Sequence, residues 1–123
     1  MSPQDWWPER EILDNLDEAE RAGGLRLIRC LVSRGLYRLS RKVEVRIEDG
    51  YFEIEDIECC ILTGTVAKTE ADEMHNSIGD KKYVIEGSDT HGNPFYAVGK
   101  LVASDNGKLY LVITARESEA NYV

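Results

Sequence analysis

Three cationic side chains are the residues of this sequence best suited to chemistry, namely Lys42, Arg46 and Arg116. Lys42 and Arg46 are four residues apart, so they share a face whether their segment is a helix or a strand. A lysine and two arginines that converge on one point can stabilise the charge that develops when a phosphodiester is cleaved. The same side chains can equally form salt bridges with Asp56 and its acidic neighbours, and the spacing alone favours this structural alternative.

Other catalytic signals are weak. No glycine-rich phosphate loop and no nucleophile motif of the GxSxG type occurs in the chain. His75 and His91 lie in predicted loops, and their spacing fits no metal motif. Cys30, Cys59 and Cys60 form neither a CxxC pair nor an even set, which argues against a zinc site or a disulfide framework. The sequence therefore predicts no metal and no cofactor, and it predicts that the three cysteines are small core residues.

The net charge of −8 conceals a segregation of charge along the chain. Residues 26–46 contain seven basic residues and one acidic residue, whereas residues 47–80 contain ten acidic residues and one basic residue. Arginine is suited to fork-like recognition of phosphate or carboxylate groups. Two interpretations are equally open. Either the protein's own acidic segments cover the basic stretch, or the stretch faces an anionic ligand or an acidic partner protein.

The length of 123 residues corresponds to a single folded domain, and 42% of the residues are hydrophobic. No apolar run approaches the roughly 20 residues that span a bilayer. The first residues lack the basic-then-apolar layout of a signal peptide. We therefore expect a cytoplasmic protein without a membrane segment.

Two helices are predicted in the first third of the chain. One covers residues 8–22 and is ended by Gly23, and the second covers residues 25–35. Trp6 and Trp7 precede the first helix. They are expected to close its apolar face, although an exposed patch that binds a partner is the alternative.

The segment that contains Lys42 is ambiguous. Residues 36–39 are typical of a short strand. Val43, Val45 and Ile47 then alternate with polar residues, which slightly favours a second strand. Ser40, however, is a good helix N-cap, so that a helix is also possible.

The rest of the chain predicts one more helix and then a sheet. Residues 53–62 have helical spacing and are followed by Gly64. Strands are predicted at residues 65–69, 83–85, 95–103 and 109–114. The short polar turns between the later strands require antiparallel neighbours. The predicted fold is α+β, with helices packed on one face of an antiparallel sheet of four strands.

The order of several short motifs resembles a small prokaryotic domain family of unknown function. The first half of the resemblance is carried by Leu27-Ile28-Arg29, Ser33-Arg34-Gly35-Leu36-Tyr37-Arg38-Leu39-Ser40-x-Lys42-x-x-x-Arg46, Ile54-Glu55-Asp56-Ile57 and Thr63-Gly64. The second half is carried by Tyr83-Val84-Ile85-Glu86-Gly87, His91-Gly92-Asn93-Pro94-Phe95 and Leu111-Val112-Ile113-Thr114-Ala115-Arg116. The resemblance covers about residues 27–116. Each motif alone is weak, but their order and spacing together are fairly specific.

That family is similar to the BrnT and RelE groups of toxin ribonucleases, and its members are often encoded beside zinc-finger antitoxins of the MqsA type. The resemblance implies the α+β fold described above and a helix at residues 41–48, against the alternation argument, and we follow it there. It further implies a domain at residues 25–123, preceded by a helical extension at residues 1–24. RNA is the implied substrate, and an antitoxin is the implied partner.

One departure from the family pattern concerns Lys42, which stands where the family has a histidine. Lysine with an ordinary pKa cannot exchange a proton near neutral pH, but it can hold an anionic transition state. The sequence thus supports two hypotheses. The first is a toxin-like endoribonuclease that works without a metal ion, in which Arg46 and Arg116 clamp phosphate and Lys42 stabilises the attacking or leaving oxygen. The second is a non-catalytic module that binds an acidic or apolar protein partner.

Overall fold

The computed structural model describes residues 15–118 of the chain. The helices in this part are α1 (Leu16–Ala22), α2 (Gly24–Ser33), α3 (Arg41–Glu48) and α4 (Ile54–Thr63). The strands are β1 (Tyr37–Leu39), β2 (Thr65–Ala71), β3 (Lys81–Ser88), β4 (Pro94–Ser104) and β5 (Gly107–Glu117), with a 3₁₀ turn at Ile78–Asp80. The predictions for Trp6, Trp7 and the start of the first helix lie outside the described residues.

The sheet has five strands in the order β1-β5-β4-β3-β2. Strands β2 to β5 form antiparallel pairs, whereas β1 lies parallel to β5. The α+β class agrees with the prediction, but the four-stranded antiparallel sheet was wrong in detail. A parallel pair needs a long crossover connection, and the chain between β1 and β5 supplies it through α3, α4 and the other strands.

Helices α2 and α4 pack against one face of the sheet, where they form the hydrophobic core. The fully buried side chains include Ile28 and Leu31 of α2 and Ile57 and Ile61 of α4. The three cysteines are also buried, as predicted, and none is in a disulfide. Burial raises the pKa of the Cys60 thiol to about 12, so this group is a core residue that stays protonated.

The other face of the sheet carries the residues that alternate with the core positions. Val84 of β3 pairs with Val98 of β4, and Val98 pairs with Thr114 of β5. Directly paired residues lie on the same face, and these three alternate with the buried Ile85, Ala97 and Ala115. We call the face that carries Val84, Val98 and Thr114 the open face.

Residues 41–48 form helix α3, as the resemblance implies, so the strand favoured by the alternation argument was wrong. Ser40 is the N-cap, and its hydroxyl accepts a hydrogen bond from the Val43 amide at 3.3 Å. Val43 is buried, whereas Val45 is exposed, so the apolar residues do not behave as a strand face. The predicted helix at residues 53–62 is confirmed as α4, which Gly64 follows.

Candidate functional site

Helix α3 presents two of the three predicted site residues. Lys42 and Arg46 line a shallow hollow of about 400 Å³ together with Tyr51, which follows the helix. The Arg46 guanidinium lies 5.0 Å from the centre of the Tyr51 ring, which is a cation–π contact. The four-residue spacing therefore has the effect predicted for a helix, because both cations are brought to one surface.

Ser40 holds the start of α3 against β5. Its backbone amide donates to the Val112 carbonyl, and its hydroxyl donates to the Ile113 carbonyl, each at 2.9 Å. Lys42, two residues after Ser40, reaches the open face, where its Nζ lies 3.5 Å from Oγ1 of Thr114. Lys42 thus lies at the border between the α3 hollow and the sheet.

Arg116 belongs to a different hollow, on the open face. It pairs with Tyr96 of β4, and Tyr96 pairs with Glu86 of β3. The three side chains therefore form one row across three neighbouring strands. They line a hollow of about 680 Å³, whose floor includes Val84 and Val98.

The charges around this second hollow are of both signs. Besides Glu86 and Arg116 it contains Lys68, Glu70 and Glu117. Lys68 and Glu70 form an ion pair at 3.2 Å. Within residues 15–118, no carboxylate forms an ion pair with Arg116, Arg46 or Lys42, so the salt bridges that the sequence favoured for these residues do not form there.

The structure therefore brings Lys42 and Arg46 together but places Arg116 in a hollow that neither of them lines. Thr114 connects the two places, because it contacts Lys42 and is two residues from Arg116 on the same face of β5. Sequence reasoning missed Glu86 and Tyr96. They could have been identified only from their cross-strand pairing with Arg116. That pairing depends on the register of two hairpins, β3–β4 and β4–β5, which the sequence does not specify.

Much of the remaining basic stretch has structural partners. Arg41 pairs with Glu48 at 3.1 Å, and Arg26 pairs with Glu18 at 3.0 Å. Arg29 donates to the carbonyls of Ile61 and Gly64 at the end of α4. The interpretation that acidic residues of the protein cover the basic stretch is thus correct for Arg26 and Arg41, whereas Arg29 is bound by backbone carbonyls.

Asp56 has a structural role in place of the predicted salt bridges. It accepts hydrogen bonds from the amide of Glu53 at 2.9 Å and from the hydroxyl of Thr90 at 2.7 Å. Burial opposes its ionisation, but hydrogen bonds from Glu53 and Thr90 outweigh that effect, and the pKa of Asp56 is lowered. Asp56 therefore fixes the start of α4 to the turn before β4.

A buried ion pair lies elsewhere in the sheet. Lys100 Nζ lies 3.2 Å from Asp72, and both side chains are buried. The hydroxyl of Ser77 also donates to Asp72 at 2.7 Å. This hydrogen bond, with that from Lys100, outweighs burial and lowers the pKa of Asp72 to about 2. Its partners are all internal, so we assign the pair to the anchoring of the β2–β3 connection.

Residues 15–118 contain no cluster of three or more histidine, cysteine or acidic side chains that could hold a metal ion. In the same part of the chain, no helix is long and apolar enough to cross a membrane. Comparison of the chain with models of protein families, with curated proteins and with solved structures finds no match in any of the three. The geometry of the two hollows is therefore the basis for the function proposed below.

Proposed function

We propose that the chain is a toxin-like endoribonuclease whose reaction centre is the row Glu86–Tyr96–Arg116 on the open face. The observation that carries the proposal is this row, which aligns a carboxylate, a phenol and a guanidinium across three strands. The resemblance to toxin ribonucleases supports the same activity. Of the three residues predicted from the sequence, Arg116 belongs to the centre, whereas Lys42 lines the α3 hollow and contacts Thr114, two residues from Arg116.

The spacing of the row suits a phosphodiester. Two strand spacings separate Glu86 from Arg116, about 9.5 Å between their backbones. Both side chains are exposed, so they can approach a phosphate from its two sides. Tyr96 lies between them, beneath the phosphate position. This arrangement provides a base, a phosphate-binding cation and a hydroxyl within one substrate position.

The proposed reaction needs only side chains and RNA. Glu86 accepts the proton of the ribose 2′-hydroxyl, and the 2′-oxygen forms a bond to phosphorus. Arg116 stabilises the charge on the pentacovalent phosphate, and the bond to the 5′-oxygen breaks. Tyr96 gives its proton to the 5′-oxygen. The products are a 2′,3′-cyclic phosphate and a 5′-hydroxyl, and no metal ion takes part.

Exchange of Glu86, Arg116 and Tyr96 tests the reaction. Purified wild type should cleave a labelled single-stranded RNA in the presence of EDTA and leave the cyclic phosphate. Glu86→Gln should lower the rate about 10²- to 10⁴-fold, because it removes the base. Arg116→Ala should lower it about 10²- to 10³-fold, because it removes a charge contact to the transition state. Tyr96→Phe should also slow cleavage.

Two surface variants serve as matched controls. Glu44→Gln removes an exposed carboxylate of α3, and Arg26→Ala removes an arginine that is paired with Glu18. Both should cleave at the wild-type rate. Cleavage by Glu86→Gln at the wild-type rate would contradict the assignment, as would folded wild type that leaves RNA intact. In cells, growth arrest and loss of total RNA should disappear with Glu86→Gln.

A second candidate function is a module that binds a protein. The observation in its favour is the composition of the open-face hollow, where Val84 and Val98 form an apolar floor and acidic residues outnumber basic ones. Such a surface suits the mixed contacts of a protein interface. An antitoxin bound there would also block the reaction centre. If RNA stays intact, Val98→Asp should abolish binding of a co-purifying partner protein.

A further inference from the structure

We propose that α3 carries a second RNA subsite, in which Tyr51 stacks on a base and Arg46 and Lys42 contact the adjoining phosphates. The inference rests on the proposed function, since it concerns the path of the same RNA strand. It adds a binding surface beyond the reaction centre and assigns a role to Tyr51, which the sequence did not single out.

The first support is the exposure of Tyr51. Its relative exposure is 62%, whereas tyrosines of the sheet such as Tyr83 and Tyr110 are buried. An aromatic ring that is exposed beside two cations is a stacking platform for a nucleic-acid base. The Arg46 guanidinium lies over one face of the ring, 5.0 Å from its centre, so the base would stack on the other face.

The second support is that two of the cations in the hollow have no ion-pair partner among the described residues. Arg41 lines the same hollow but is engaged by Glu44 and Glu48. Lys42 and Arg46 form no ion pair with a carboxylate of residues 15–118. They are separated by one helical turn, about 6 Å along the axis. The hollow, which Asp49 also lines, therefore presents two cations without an ion-pair partner in the described part of the chain, and one carboxylate. This net positive charge favours RNA over an uncharged ligand.

The third support is continuity with the reaction centre. Arg116 and Thr114 are separated by about 6.8 Å along β5 on one face. Thr114 contacts Lys42, and Lys42 shares its hollow with Arg46 and Tyr51. A single strand bound at Arg116 can thus continue over Thr114 onto α3. An acidic protein could also pair with the cations, but a continuous path from Arg116 over Thr114 to α3 matches the regular phosphate spacing of a single nucleic-acid strand.

Binding of an RNA that cannot be cleaved tests the subsite without requiring activity. The probe is a fluorescein-labelled 2′-O-methyl oligonucleotide of ten residues, followed by anisotropy. Tyr51→Ala should weaken binding about tenfold or more, since stacking contributes roughly 1–3 kcal/mol per base. Arg46→Ala should weaken it similarly, whereas Tyr51→Trp should retain binding because it keeps a stacking ring. Arg26→Ala should bind as the wild type does.

The length of the RNA provides a second measurement. A dinucleotide that fills only the open-face hollow should be cleaved equally by wild type and Tyr51→Ala. A cleavable RNA of ten residues should be cleaved by Tyr51→Ala with a higher KM than by the wild type. Wild-type binding by folded Tyr51→Ala and Arg46→Ala, with cleavage still dependent on Glu86, would overturn the subsite and leave the reaction centre intact. Loss of RNA binding in Tyr51→Ala together with unimpaired cleavage in Glu86→Gln would retain the subsite and overturn the reaction centre.

Discussion

The phenol of Tyr110 is an unusual residue of the core. The side chain is fully buried, and among the described residues its hydroxyl has no hydrogen-bond partner. Burial raises its pKa above the ordinary value for tyrosine, so the group stays protonated. The ring packs over Gly99 of β4, where any larger residue would collide with it. A polar atom thus lies in the core without the bond that normally compensates its desolvation.

Tyr110→Phe should therefore stabilise the protein. Removal of an unpaired buried hydroxyl should raise the free energy of unfolding by about 1 kcal/mol, because the desolvation cost disappears and no bond is lost. Urea denaturation measures the change. Tyr37→Phe is the matched control, since the Tyr37 hydroxyl donates to Glu58 at 2.8 Å and its loss should lower stability. Equal destabilisation by both variants would show that Tyr110 has a partner.

The residues of the candidate site were only partly predictable from the sequence. Lys42 and Arg46 were predicted to share a face, because their spacing has that effect in any regular structure. The partners of Arg116 were not predictable, since they depend on how three strands align. In the sequence, Glu86 and Tyr96 carry no signal that distinguishes them from other strand residues. Only the register of β3, β4 and β5 shows that they lie in one row with Arg116.

A β-bulge decides the face on which Arg116 lies. Gly99 pairs with Val112, but Val98 pairs with Thr114, so that Ile113 is an extra residue in β5. Without it, the alternation along β5 would place Arg116 on the helix face with the core residues. The sequence predicted the strand from its apolar residues and its turn. It gave no sign of the bulge, because Leu111 to Thr114 are all compatible with a regular strand.

Ser40 connects this bulge to helix α3, and its substitution should affect both elements. Ser40→Ala removes the hydrogen bond to the Val43 amide and the bond to the Ile113 carbonyl. The free energy of unfolding should fall by about 1–2 kcal/mol, which is the cost of losing an N-cap and a part-buried hydrogen bond. Chemical denaturation measures it. Ser104→Ala, at an exposed turn, should have little effect.

Ser40→Asp separates the two contributions of Ser40. Aspartate is a good N-cap, but a carboxylate cannot donate to the Ile113 carbonyl. The variant should therefore recover the helix cap and not the attachment to β5. If Ser40→Asp is as stable as the wild type, the bond to the bulge contributes nothing and the cap alone explains the role of Ser40.

At the scale of the whole molecule, the charge distribution limits how RNA can bind. The net charge is −8, so long-range attraction of a polyanion is absent and binding depends on local contacts. Much of the basic stretch serves the fold, since Arg26, Arg29 and Arg41 are bound to groups of the protein itself. The proposed path uses Lys42 and Arg46 in the α3 hollow and Arg116 in the open-face hollow, and the packing of α3 against β5 makes the two hollows neighbours.

The salt dependence of RNA binding should reveal this small number of contacts. For single strands the slope of log K against log salt is about −0.7 per phosphate contact, so three contacts predict a slope of about −2. Lys42→Ala, Arg46→Ala and Arg116→Ala should each reduce the slope by about 0.7, whereas Arg26→Ala should not change it. Anisotropy titrations of the 2′-O-methyl RNA at several salt concentrations measure the slope.

A slope of about −5 in the wild type, the value for seven contacts, would mean that the whole basic stretch binds RNA. In that case the ion pairs of Arg26 and Arg41 would have to open on binding, and the path over Thr114 would not define the interface.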